Sequence, residues 1–400
     1  MNMLKKYALI LMAITAVTFT GCSDDDDKNP GDVRDGIIAE QNDPDLVVDD
    51  LQGAITTDIT LSADKDWVLT GALVVKAGAK LTIEPGTNIL AEAGGTGVYI
   101  AVERNAEIQA VGTAANPIEI KSAATNPAAG DWGGLMIMGN AKITGGGLAV
   151  TEVVDFIYGN GVDSDDEDNS GNLEYVIIRH TGAIINAEKE FNGLTLYGVG
   201  SGTTIRNIAL FDGNDDAIEW FGGSVDVENL LVVNARDDMF DWTQGWSGTG
   251  TNFYGVREAG FDAVSSDPRG IEGDGNLDGL TPGLAPQSNA TITNITIVNK
   301  STAVFSDVIK IRRNSTATVT NALIVWGGSP APGDVVDLQD GAVATGSASA
   351  NTTVTVSGTG TNLNMEDNVA GLNNATITVE ATTGVADPAT LFAWTGYTGF

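Results

Sequence analysis

One cysteine and one histidine occur in 400 residues. A single thiol cannot close a disulfide within the chain, and it rules out cysteine-built zinc and iron–sulfur centres. A Ser-His-Asp or Cys-His catalyst would have to use His180, which ends the strand-like run "YVIIR" and has no nucleophile motif to serve. Basic residues are scarce as well: 20 Lys and Arg stand against 53 Asp and Glu, for a formal charge of -33. Such a polyanion repels nucleic acid and anionic headgroups, so no nucleic-acid partner is expected. Beyond the N-terminus, no long window carries the apolar stripe of an amphipathic helix.

What is present begins with "MNMLKKYALILMAITAVTFTGC". Two lysines precede an apolar run too short to span a bilayer, and small and polar residues follow. Residues 1–21 read as a secretory signal peptide. "FTGC" resembles a bacterial lipoprotein processing site, with Phe19 where leucine is commoner. That resemblance implies a mature chain starting at Cys22, lipidated on its sulfur and anchored in the outer membrane. Residues 22–50 open with "SDDDDKNPGD" and carry acids with few large apolar side chains. They read as a self-repelling flexible linker. The acidic run after the cysteine looks like the surface-export signal of Bacteroidota lipoproteins, which implies display on the cell exterior.

From residue 51 to 400 short alternating runs are divided by Gly, Asn and Asp turns, as in "GALVVKAG", "AKLTIEPG" and "NPIEIKS". The class is all-β. "TTIRNIALFDGNDDAIEWFGG" (203–223) aligns with "VDVENLLVVNARDDMFDWTQG" (225–245) at a constant offset of 22. Asn207 meets Asn229, Asp215 meets Asp237, Asp216 meets Asp238, and Trp220 meets Trp242. The apolar-x-Asn-apolar core returns in "ITNITI" and "VTNALI", and "LEYVII" places Tyr175 in the asparagine slot. This pattern predicts a single-stranded right-handed parallel β-helix with coils of about 22 residues. Stacked coils would put equivalent asparagines in an amide ladder at a bend, and Trp220 over Trp242 in the core.

The motifs "VVKAGAKLTIEPGT", "GDWGGLMIMGNAKI", "LTLYGVGSGTTI" and "SSDPRGIEGDGN", with the two acidic-tryptophan coils, resemble a family of secreted or surface right-handed parallel β-helix lipoproteins from Bacteroidota and marine bacteria. The resemblance implies the fold. It transfers no catalytic residues. At the level of fold alone it extends to pectin-degrading β-helix enzymes, and fold does not fix function.

Strand parity puts Trp220 and Trp242 inside, and Glu219 and Asp241 on the outer face, one above the other. The turns stack Asp215 on Asp237 and Asp216 on Asp238. Two like charges about 5 Å apart repel by about 3 kcal/mol at an effective dielectric of 20. Relief can come from calcium, from Arg236, from a retained proton, or from solvent along an exposed edge. Asp215 and Glu219 lie about 13 Å apart along a straight strand, so one ion reaches both only if the turn folds back. "DGNLDG" (274–279) offers Asp274, Asn276 and Asp278 at calcium-loop spacing, but Ala285 stands where an EF-hand needs a bidentate acid. "DSDDEDNSG" (163–171) reads as a loop between coils, and "GDVVDLQDG" (333–341) as a turn with exposed acids.

Arg236, Lys310 and Arg312 are candidate ligand contacts, these three with Arg206 are candidate lyase bases, and Trp246 is the candidate surface aromatic. The expected function is non-catalytic binding of a glycan or envelope component, with Ca2+ as the implied ion. A calcium-dependent polysaccharide lyase or glycoside hydrolase is the alternative, and a structural adhesion or surface-layer role is a third.

Overall fold

The computed structural model describes residues 35–160, 166–186, 189–327 and 330–400. Cys22, the signal segment, the first part of the linker, residues 163–165 of the 163–171 loop and the N-terminal charge run lie outside the described residues.

The described chain coils as a right-handed parallel β-helix with three sheets. The front sheet takes one short strand from each coil, including Leu135–Met138, Leu194–Tyr197, Ile218–Phe221, Phe240–Thr243, Ile271–Asp274, Asp307–Arg312 and Asp334–Asp337. All its pairings are parallel, and Ile218 to Phe221 pair in order with Phe240 to Thr243. In the early coils the other two sheets are built from separate strands, such as Lys80–Ile83 and Asn88–Ala91. From Gly171–Arg179 onward one longer strand serves both sheets and bends between them.

The bend explains the repeated asparagines. Asn207, Asn229, Asn252, Asn294 and Asn321 all have φ between 54° and 60°. Asparagine tolerates this left-handed region because its short side chain bonds locally. Here each amide donates to the coil before it: Asn229 to Asn207 at 3.0 Å, Asn252 to Asn229 at 2.9 Å, Asn294 to Asn252 at 3.1 Å and Asn321 to Asn294 at 2.7 Å. Tyr175 holds the same bend with φ 51°. The expected ladder is present, and Asn252 extends it through a coil the 22-residue alignment did not cover.

Inward side chains of the three sheets form one apolar column. Trp220, Trp242 and Trp246 are all fully buried, and Trp220 stacks on Trp246 with ring centres 4.6 Å apart. Trp246 is therefore a core residue and not the surface aromatic expected of it. Its indole nitrogen donates to Val225 O at 3.1 Å. The glycine-rich "TQGWSGTGT" folds inward because Gly248 backs onto Val225 O, where a Cβ would lie 2.0 Å away.

The ordered fold starts earlier than residue 51. Ile37–Ile38 pairs in parallel with Ala54 and Ile55, and Ile38 is fully buried. The latter part of the supposed linker thus forms the first coil. The last coil strand is Thr376–Val379. The chain then turns back over the outside of the helix, where Val385, Phe392, Tyr397 and Phe400 cover Leu231, Val233 and Tyr254. "GDVVDLQDG" is not a free turn: Asp334–Asp337 is a front-sheet strand.

Candidate functional site

The outer face of the front sheet changes character along the stack. Register places Met136, Thr195, Glu219, Asp241, Glu272, Lys310 and Asp337 in one column. The early part is apolar and covered. Met136, Met138, Tyr197 and Phe221 pack under Ile143, Tyr158 and Phe191. The middle is acidic, and the late part alternates in sign.

A cross-strap fixes the cover. Residues 141–145 run across the ends of successive front strands: Ala141 N donates to Gly198 O, Gly223 N to Lys142 O, and Thr144 N to Gln244 O, all at 2.8–2.9 Å. Gly223, at φ +85°, leaves no room for a side chain, since a Cβ would lie 2.3 Å from Val199 O. The strap leads into an antiparallel hairpin, Gly147–Val150 with Ile157–Asn160. Tyr158 on that hairpin donates its hydroxyl to Gln244 Oε1.

The doubled aspartates stack as their spacing implied. Asp238 N donates to Asp216 Oδ1 at 2.8 Å. Arg257, fully buried, donates to Ala235 O and Asp237 O and so braces the second turn. The expectation of a solvated acidic edge fails, however. Asp216 and Glu219 are each 8% exposed and Asp238 only 3%. Glu219 faces away from the core but lies under Asn192, whose amide donates to it at 2.6 Å. Asp215 and Asp237 remain half-buried, and Asp215 shares a hydrogen bond with Glu190.

Asp215 and Glu219 share no group; it is Asp216 that the turn brings beside Glu219. One carboxylate oxygen from each of Asp216, Glu219 and Asp241 lies within 4.8 Å of the others. Asp215, Asp216 and Asp237 form a second such group, and Asp238, Asp241 and Glu272 a third. Burial first, and like-charged neighbours second, push Asp216, Glu219, Asp238 and Asp241 well above the usual carboxylate range. Asp238 Oδ1 and Asp241 Oδ1 are buried and accept no hydrogen bond.

Cations serve the third group and the late column. Arg269, 5% exposed, reaches Glu272 at 3.0 Å, Asp238 at 3.7 Å and Asp307 at 3.7 Å. Arg312 reaches Glu272 at 2.5 Å and Asp274 at 2.8 Å. Lys310 pairs with Asp337, and with Asp307 at 3.5 Å. Among the described residues, no Lys or Arg forms an ion pair with Asp216, Glu219 or Asp241.

Three sequence expectations are corrected by this geometry. Asp274, Asn276 and Asp278 do not converge. Asp274 is held by Arg312 and Arg313, and Asn276 is buried and bonded to Gln287 and Thr281. Asp278 points elsewhere, onto an exposed loop. Arg236 does not relieve the stacked aspartates, because it is tied to Ala263 O at 2.7 Å and to Asn214. Lys310 and Arg312 share the outer face as expected but are occupied by carboxylates.

Sequence reasoning missed Glu272, Arg269, Asp307 and the cover residues Glu152 and Tyr158. Glu272 had a signal: "GIEGD" repeats the apolar-acid alternation of "MFDWT", displaced by the loop that follows Arg257. Glu152 and Tyr158 had none, since they come from an insertion outside the repeat.

The pectate-lyase-like β-helix domain family matches residues 53–398. The chain belongs to that family. The match agrees with the three-sheeted coil and carries no residue assignments. No curated protein and no solved structure matches the chain. Within this family fold, the acidic middle of the front-sheet column is the candidate site.

Proposed function

We propose that this β-helix chain is a lipid-anchored outer-membrane protein, displayed on the cell exterior, that binds a glycan or another envelope component without turning it over. Calcium is its ion, held by Asp216, Glu219 and Asp241. The observation that carries the cation is the absence of ion-pair partners for these three acids among the described residues, while Arg269, Arg312 and Lys310 all pair with acids one or two coils away. Three buried carboxylates in an irregular all-oxygen set suit calcium better than the strict octahedron of magnesium. The anchor rests on the N-terminal sequence and Cys22.

The non-catalytic reading rests on the state of the cations. A lyase needs a basic group free to take a proton. Arg312 and Arg269 are bound to carboxylates, which push them above the ordinary arginine value. The second reading, a calcium-dependent lyase or a glycoside hydrolase, is favoured by the family kinship and by the buried carboxylate pairs.

A glycan array read with and without EDTA, followed by product analysis on every retained glycan, tests both. Retention lost in EDTA, with no products, supports the binder. Unsaturated or shortened oligosaccharides support the enzyme. No retention supports a structural role.

A further inference from the structure

Beside the acidic column lies a cavity of about 400 Å³ that the reading above leaves unused. Glu152 and Tyr158 of the first hairpin, Lys189 of a second, Phe221 of the front sheet, and Leu277 and Asp278 of an exposed loop line it. Its back wall is aromatic. Phe221 stacks on Tyr197 at 4.5 Å between ring centres, and Tyr197 meets Tyr158 at 4.9 Å. Its rim is apolar, with Val150 at 57% exposure and Leu277 at 39%. Thr243 pairs with Phe221 in the same column, is 5% exposed, and its hydroxyl is without a partner.

The charge inside is mostly negative. Glu152 and Asp278 both line the cavity, close enough for the charge of Asp278 to act on Glu152, and Lys189 is the one cation among its lining residues. Glu219 lies two residues before Phe221 on the same outward face, about 7 Å away along the strand. An anionic sugar would meet these carboxylates unfavourably. An ammonium group has three donors and no acceptor, so it can serve two carboxylates at once, and aromatic faces attract it further.

We infer that this cavity binds an amino sugar with a free amine, its ring against Phe221 and Tyr158 and its ammonium between Glu152 and Asp278. The assignment rests on the glycan-binding reading and names the class of glycan. Burial first, and then Asp278, push Glu152 up to about 7, with Lys189 opposing and Glu190 adding. Tyr158, Tyr197, Asp215 and Glu219 also face it. Glu152 must be ionised and the sugar amine protonated, so binding passes through a maximum near neutral pH and weakens on either side.

The test is calorimetric titration of the full-length protein at about pH 7 with glucosamine oligomers, N-acetylglucosamine oligomers and galacturonate oligomers. The wild type is compared with Glu152→Gln and with Asp278→Asn, the latter at an exposed loop position where folding is not at stake. The expected result is that glucosamine oligomers bind at least about tenfold more tightly than the other two, and that either variant erases most of that preference. Equal or tighter binding of the acetylated or acidic oligomers overturns the amine assignment and leaves the glycan reader intact. Amine binding untouched by both variants overturns the site. No binding of any oligomer, with both variants folded, overturns the assignment together with the reading it rests on.

Discussion

Glu219 lies directly over Asp241, residue paired with residue across two parallel strands of the front sheet, and burial raises the proton affinity of both. Asp216 and Asp238 are raised for the same reason. Between about pH 4, where unfolded carboxyls titrate, and the raised folded values, the folded chain holds more protons than the unfolded one. Stability of the ion-free protein therefore falls as pH rises through that window. Melting curves in EDTA from about pH 5 to about pH 8 should show a steady loss, and saturating calcium should flatten it. A melting temperature that rises with pH in EDTA would contradict the account.

Replacing Asp241 with Asn removes one charge from two of the four acidic groups among the described residues. In EDTA at neutral pH the variant should be more stable than wild type, by about 1–3 kcal/mol in urea denaturation. In calcium the order should reverse, because the ion loses a ligand. An Asp241→Asn protein less stable than wild type in EDTA would mean that the stacked acids are not in conflict.

Asn229 donates to Asn207 and accepts from Asn252, at φ 58°. Asn229→Ala breaks both bonds and leaves the left-handed bend to a residue without the local amide bonding that lets asparagine tolerate it. The loss should be about 3–5 kcal/mol from two broken ladder contacts and the bend strain. Asn229→Gly relieves the bend and should recover about 1 kcal/mol of it. Chemical denaturation of the two variants separates the ladder from the backbone term.

Trp246 was legible as an aromatic in a glycine-rich segment, and that composition suggested a surface. The structure buries it against Trp220. Trp246→Ala should cost about 3–5 kcal/mol of stability, as a large core cavity does. Trp246→Phe, which retains most of the volume, should bind glycans as wild type does on the array. Loss of glycan retention by a folded Trp246→Phe protein would restore the surface reading.

The repeat carried most of the fold. A constant offset between Asn207 and Asn229 fixed register, parity and the inward tryptophans, because coils of equal length keep equivalent residues stacked. It failed where coil length changes. Glu272 and Lys310 occupy the same column as Asp241, yet loops of differing length separate them in sequence. Burial was the least legible feature. Parity gave the outward direction of Glu219 correctly, but the hairpin and strap covering that face come from an insertion with no repeat partner. The pairing of Lys310 with Asp307 and Asp337 was hidden for a related reason: "GDVVDLQDG" looks like a turn until a neighbouring coil makes it a strand.

The most direct measurement is a calcium titration of the EDTA-stripped protein by isothermal calorimetry at neutral pH, with Asp241→Asn and Asp274→Asn alongside. The account predicts saturable calcium binding by the wild type, release of protons as the raised carboxyls ionise, loss of that binding in Asp241→Asn, and its retention in Asp274→Asn, whose carboxylate is already held by Arg312 and Arg313. Absence of saturable binding by the folded wild type, or undiminished binding by Asp241→Asn, would contradict it.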